Sequence, residues 1–188
     1  EELKRHGKFD FELYYVVMNP GYNEKNLELI KENAKTLNLN IEIFESDIFD
    51  VVDKVSSESP CYLCARMRRG FLYSKAKELG CNKIALGHHM DDILETLLMN
   101  LTFQGAFSTM PPKLVMKKFD MTIIRPMCMV HEADLQELAE VRNYRKQVKN
   151  CPYETQSNRT DMKEVLKQLE TLNPEARYSL WGSMTNVQ

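Results

Sequence analysis

The chain has 188 residues, of which 43% are hydrophobic and 28% charged, with 7 Gly and 7 Pro. That balance fits one ordinary globular domain and excludes collagen-like, low-complexity and disordered classes. A formal net charge of −2 argues against a simple electrostatic nucleic-acid binder, and no apolar run approaches the roughly 20 residues that span a bilayer. Residues 11–18, FELYYVVM, are aromatic and β-branched and predict a buried strand that ends at Asn19-Pro20-Gly21. Asn23 is placed to cap a helix running to about Leu37, with Leu27, Ile30, Ala34 and Leu37 on one face. Ile41 and Ile43 alternate with polar residues and predict a second strand. Residues 56–60 are a break, and a helix follows from about Cys64 to Leu79, with Gly80 placed to end it. Residues 83–86, KIAL, predict a short strand stopping at Gly87, and Asp91-Asp92 opens a helix to about Leu101. QGAFSTMPPKL reads as a loop and residues 121–125 as a strand cut off by Pro126. Helices are expected at about 132–146 and 159–172, with a short one after Pro174.

Strands alternating with helices predict an α/β fold with a parallel, doubly wound sheet. The division expected is an α/β domain over residues 1–150 and a C-terminal helical extension over 151–188, packed on it. The N-terminus has no signal-peptide core and no initiator Met. It therefore reads as cytoplasmic, with no membrane partner, and as the start of a fragment. Charge is uneven. Residues 59–151 hold more bases than acids, and Arg66, Arg68, Arg69, Lys75 and Lys77 fall together without an acid among them. A basic middle can hold phosphates although the whole chain is acidic.

Three constellations carry chemistry. The first is Cys61-Tyr62-Leu63-Cys64 with the distant Cys151, within an odd total of 5 cysteines. A CxxC brings two thiols to one point at a turn or helix start, where the helix dipole and nearby bases favour thiolates. Three convergent cysteines suit an iron–sulfur cluster, two suffice for a redox dithiol, and two thiols without a role are the plain alternative. Cys81 and Cys128 are expected to be small core residues. The second is Gly87-His88-His89-Met90-Asp91-Asp92, between a strand end and a helix start, where doubly wound sheets bind ligands. Gly lets a ligand approach, the helix start offers amides to phosphate, and a carboxylate there can orient Mg2+. One of the two Asp residues is expected only to cap the helix. The third is Arg66-Met67-Arg68-Arg69, in which Arg68 lies one turn after Cys64 and the other two are weighed evenly as a solvated face. Met110-Pro111-Pro112 reads as a lid or as nothing, and His131 as a helix-start residue.

CYLCARMRRGFLYSKAKELGCNKIALGHHMDDILETLLMNL, followed by MPPKL, IIRPM and CPYETQSNR, together resemble the tRNA 2-thiocytidine biosynthesis family (TtcA-like) of the PP-loop ATP pyrophosphatases. The resemblance implies the adenine-nucleotide alpha-hydrolase-like fold and an ATP-dependent enzyme. Such an enzyme adenylates a tRNA cytidine, releases pyrophosphate and inserts sulfur with the help of a 4Fe-4S cluster. It implies Cys61, Cys64 and Cys151 as the metal ligands, with Asp91, Cys61 and Cys64 acting in catalysis. ATP and Mg2+ would meet Asp91. Gly87 and His88 would line the nucleotide pocket, Val17 and Met18 would offer backbone groups to adenine, and Arg68 would face phosphates and cluster. The implied partners are tRNA and a sulfur donor such as a cysteine desulfurase system, with a homodimer allowed for. The family's SGGKDS loop has no counterpart in this sequence, so a chain beginning at the second strand is expected, without efficient catalysis as it stands. Glu154 stands where some members carry a further Cys. A 2-thiouridine-forming relative, or a non-catalytic metal-binding or tRNA-docking paralogue, are the alternatives.

Overall fold

The computed structural model describes residues 2–55, 60–117, 119–148 and 159–186. The chain divides into two compact units, Glu1–Leu79 with Arg145–Asn150, and Gly80–Tyr144 with Cys151–Gln188.

The first unit runs α1 (Glu2–Arg5), β1 (Tyr15–Asn19), α2 (Glu24–Thr36), β2 (Ile41–Glu45), α3 (Ile48–Val55) and α4 (Pro60–Glu78). β1 and β2 are parallel, in a register from Tyr15↔Ile41 to Asn19↔Glu45. β1 starts at Tyr15, four residues later than FELYYVVM suggests, because β2 supplies partners only from Ile41 onward. Asn23 caps α2 as expected, its side chain accepting the Asn26 N–H at 2.9 Å. Beyond α2, Asn38 takes a left-handed φ of 52°, a conformation that Asn tolerates. α3 is an addition to the expected elements, with Ile48 and Val52, one turn apart, as its buried face. α4 begins at Pro60, earlier than expected. Proline suits a helix's first position because its missing N–H would have no partner there.

After leaving the first unit the chain returns to it at Arg145. Asn26 of α2 is buried, and its side-chain amide mimics a strand. It donates to the Val148 carbonyl at 2.8 Å and accepts the Val148 N–H at 3.0 Å. Asn33, two turns on, does the same for Arg145, at 2.9 and 3.2 Å. The ladder satisfies backbone groups that would otherwise need a sheet.

At the end of β1 the Asn19 side chain accepts the N–H groups of Gly21 and Tyr22 at 3.1 and 2.7 Å. Gly21 has φ +111°, and a Cβ there would lie 3.1 Å from the Phe49 ring. Gly21→Ala therefore adds a strained conformation to a clash, and should cost about 1–3 kcal/mol. A chemical melt of the variant checks it, and an unchanged midpoint would show that the turn can relax.

The second unit runs β3 (Lys83–Ala85), α5 (Met90–Gln104), β4 (Lys113–Met116), β5 (Met121–Ile124), α6 (Glu132–Val141), α7 (Arg159–Leu172) and α8 (Ala176–Ser183). The strand order is β3-β5-β4. β3 is parallel to β5, and β4 is antiparallel to it at the edge. The parallel pairs fit the expected α/β class, and β4 corrects the expectation of a loop through Leu114. A strand of four residues after Pro-Pro shows little periodicity, and an edge position needs only one partner. α6 ends at Val141, short of residue 146, and Asn143 turns the chain with φ 53°. The core joins Met90, Leu94 and Leu98 of α5 to Met162 and Leu166 of α7, with Leu180 and Trp181 of α8 packed against it. The spacings i, i+4 and i+8 make one stripe of α5. Burial of about 25 cal/mol per Å2 of apolar surface is what fixes α7 and α8 to it. Cys81 and Cys128 are half-buried rather than core. Among the described residues no helix is long and apolar enough to cross a membrane.

Candidate functional site

In the first unit the cysteines sit in the opening turn of α4. Cys61 is exposed, Cys64 is half-buried, and neither is in a disulfide. A separation of three residues puts both thiols on one side of that turn. The Arg68 guanidinium, one turn further, lies beside Cys64 and Tyr22 and stacks over the Phe49 ring, 5.9 Å from its centroid. Burial disfavours its cation, but Cys64 and Tyr22 favour it more, so its pKa is raised. The Arg68 Nε is buried without a hydrogen-bond partner among the described residues. Arg66 and Arg69 are exposed, as a solvated face would be. Val17 and Met18 lie in β1, whose strand neighbour among the described residues is β2 alone. Cys151 and Glu154 lie outside the described residues. The last described residue before Cys151 is Val148, held in this unit by Asn26.

In the second unit, Gly87 and His88 follow β3 and His89 begins α5. Gly87 is exposed, has no positive φ, and a Cβ on it would meet only Met127 at 3.5 Å. Neither conformation nor packing demands glycine there, so the residue leaves room. His88 is half-buried, and its Nδ1 has no hydrogen-bond partner among the described residues. Burial first, and then the Arg125 and Arg159 charges, hold its pKa below the ordinary histidine value, although Asp92 opposes them. The imidazole is neutral. Its contribution to stability is present above the ordinary value of about 6.5 and is lost as pH falls through the lower folded value. Wild-type protein should therefore lose melting temperature from pH 7 to 5 more steeply than His88→Gln. Parallel pH slopes would contradict this.

The two Asp residues separate by role. Asp92 is the capping residue, its Oδ2 accepting the His89 N–H at 3.1 Å while its Oδ1 takes Arg159 at 2.9 Å. Asp91 points inward, 4% exposed. Its Oδ2 accepts the Glu132 N–H at the start of α6 at 2.8 Å, and its Oδ1 accepts Arg177 Nη1 of α8. Burial would raise the Asp91 pKa, but the Glu132 amide and Arg177 outweigh it, and the carboxyl stays ionised below its usual range. Glu95, one turn on, is buried with its pKa raised, chiefly by desolvation. Lys163 of α7 pairs with the Glu132 side chain. As expected, His131 starts α6, its N–H donating to Asp134 Oδ2 at 3.4 Å.

The Met110-Pro111-Pro112 loop is hydrogen-bonded to α5 and to Arg125. Thr109 Oγ1 donates to the Ile93 carbonyl at 2.5 Å and the Asn100 Nδ2 donates to that of Ser108 at 2.8 Å. Buried Arg125 donates from Nη1 to the Pro111 carbonyl at 2.5 Å, and from its backbone to that of Pro112 at 2.8 Å. The loop is tied at both ends. Arg125 stands in the quoted IIRPM motif, yet nothing local marks it as the tie. Arg177 and Glu170 likewise lack any local signal. Among the described residues no three His, Cys, Asp or Glu form a metal-binding group.

The end of β3 leads into a Gly-His-His-x-Asp-Asp helix start, and the chain is of the PP-loop class, since the family model described as PP-loop domain matches residues 19–169. The tRNA-cytidine(32) 2-sulfurtransferase of Syntrophotalea carbinolica is 38% identical over 192 residues, covering 100% of this chain and 74% of that protein. That of Geobacter sulfurreducens is 33% identical, covering 100% and 75%, and that of Nitrosospira multiformis 38%, covering 99% and 63%. The chain belongs to the tRNA-cytidine(32) 2-sulfurtransferase family of PP-loop proteins. The U34-tRNA thiolase NcsA of Methanococcus maripaludis, solved with its [4Fe-4S] cluster, shares the fold. Its TM-score is 0.72 at 22% identity, over 91% of this chain and 59% of that one.

Proposed function

We propose that this protein is an ATP-dependent tRNA sulfurtransferase. It adenylates a tRNA cytidine, releases pyrophosphate and inserts sulfur at the activated carbon. The observation that carries the reading is the alignment of the whole chain with tRNA-cytidine(32) 2-sulfurtransferases at 33–38% identity. In this reading Asp91 is the carboxylate of the Mg-ATP site, Gly87 and His88 line the nucleotide pocket, and Val17 and Met18 give backbone groups to adenine. The space left at Gly87 and the His88 Nδ1 with no hydrogen-bond partner among the described residues support a ligand at that strand end. A neutral imidazole can accept a hydrogen bond there.

Cys61, Cys64 and Cys151 hold the 4Fe-4S cluster in this reading. Two thiols on one turn, with a fixed guanidinium beside Cys64, suit an anionic cluster, and Arg68 would face both it and the phosphates. The chemistry that such a cluster supplies is an iron free of protein ligands, at which a sulfide can be held. A cysteine desulfurase system is the sulfur donor we propose, the cytoplasm the location, and a homodimer the assembly. Exposed Arg66, Arg69, Lys113 and Lys117 offer cations to tRNA phosphates. Binding should then weaken as salt rises.

The test is pyrophosphate release by the purified protein. Release that requires both Mg-ATP and tRNA supports the reading. Hydrolysis of ATP indifferent to tRNA would contradict the reading, and no release under anaerobic conditions would favour the non-catalytic tRNA-docking paralogue.

A further inference from the structure

α7 and α8 carry no motif of the reaction, yet they end on its acidic helix start. Arg177 of α8 is clamped by Glu170 of α7. Its Nε donates to Oε1, and its Nη2 donates to Oε2 at 3.1 Å. Two parallel bonds fix the guanidinium plane, as in any fork-to-carboxylate pair. The remaining Nη1 is thereby aimed at Asp91 Oδ1. Asp91 Oδ2 is taken by the Glu132 amide at 2.8 Å. The carboxylate is held at both oxygens by donors from two elements, neither of them in its own helix. Each oxygen keeps a lone pair, because a carboxylate accepts at about four positions.

Charge makes the arrangement more than a brace. Arg177 alone would cancel the Asp91 charge and leave no net attraction for a divalent cation. With Glu170 present the three groups sum to one negative charge, which favours a cation at that carboxylate. A buried carboxylate with no partner would be neutralised or would turn away from its place. We infer that Arg177, clamped by Glu170, is a positioning residue that orients the Asp91 carboxylate for Mg-ATP, so that the C-terminal helices set the geometry of the nucleotide end. The inference rests on the reading of Asp91 given above.

The experiment compares Asp91→Asn, Arg177→Met, Arg177→Lys, Glu170→Gln and the double variant Asp91→Asn/Arg177→Met in the intact, cluster-loaded protein. Read out are kcat and KM for Mg-ATP in tRNA-dependent pyrophosphate release, together with melting temperature. Arg177→Met should lower kcat about 30-fold at unchanged KM for tRNA, and Arg177→Lys should recover part of that loss. The double variant should be no slower than Asp91→Asn, because both changes act through one carboxylate. Effects that multiply, or wild-type kcat in Arg177→Met, overturn the inference and leave Asp91 as it was. Wild-type turnover in Asp91→Asn overturns the reading beneath it and the inference with it. Where Arg177→Met does not fold, Glu170→Gln decides. A kcat several-fold down in a folded protein supports positioning, and an unchanged kcat overturns it.

Discussion

Cys64→Ser in the intact protein is expected to abolish sulfur insertion while leaving the fold in place. Cys64 is half-buried in the first turn of α4, so a hydroxyl in place of the thiol removes little packing. Serine is a poor ligand for iron, and a cluster held by three thiolates does not survive on two. Anaerobic reconstitution should give a brown wild-type protein with iron and sulfide in equal amounts, and a colourless variant with a near-normal melting curve. Cys61→Ser should behave in the same way. A Cys64→Ser protein that keeps its cluster and its activity would remove this thiol from the centre.

Asp91→Asn should lower tRNA-dependent pyrophosphate release about 100-fold. The amide keeps the size of the side chain and one oxygen, but it loses the charge that would meet Mg2+. It also turns an acceptor into a donor at one of the two oxygens held by Arg177 and the Glu132 amide. Some stability should go as well, since half-buried Arg177 loses one of its two carboxylates and keeps only Glu170. Circular dichroism separates the two losses. A folded variant with full turnover would reduce Asp91 to a bracket between α5, α6 and α8.

The parallel strands were legible because Val, Ile and aromatic runs alternate with helical stripes. The cysteine turn and the acidic helix start were legible because their spacing is local. Other features lack a local signal, since long-range contacts make them. β4 has only four residues and one partner, and follows two prolines. Arg125 reaches back 14 positions to hold Pro111, and Arg177 reaches back 86 to hold Asp91. No helical or strand period encodes such a separation. Asn26 and Asn33 are not among the apolar positions that mark α2 in the sequence, yet they hold a segment 112 to 122 residues away. Cys81 and Cys128 looked like core because apolar strands flank them, but both lie outside those strands, Cys81 before β3 and Cys128 after β5, and are half-buried.

The most direct measurement is nucleoside mass spectrometry of tRNA. The intact, anaerobically reconstituted protein is incubated with unmodified tRNA, Mg-ATP and isotopically labelled sulfide. A gain of labelled 2-thiocytidine that requires ATP, and disappears in Cys64→Ser and Asp91→Asn, is the predicted result. Label in uridine instead would make the protein a thiouridine-forming relative, and no label in any nucleoside, with the cluster intact, would contradict the account.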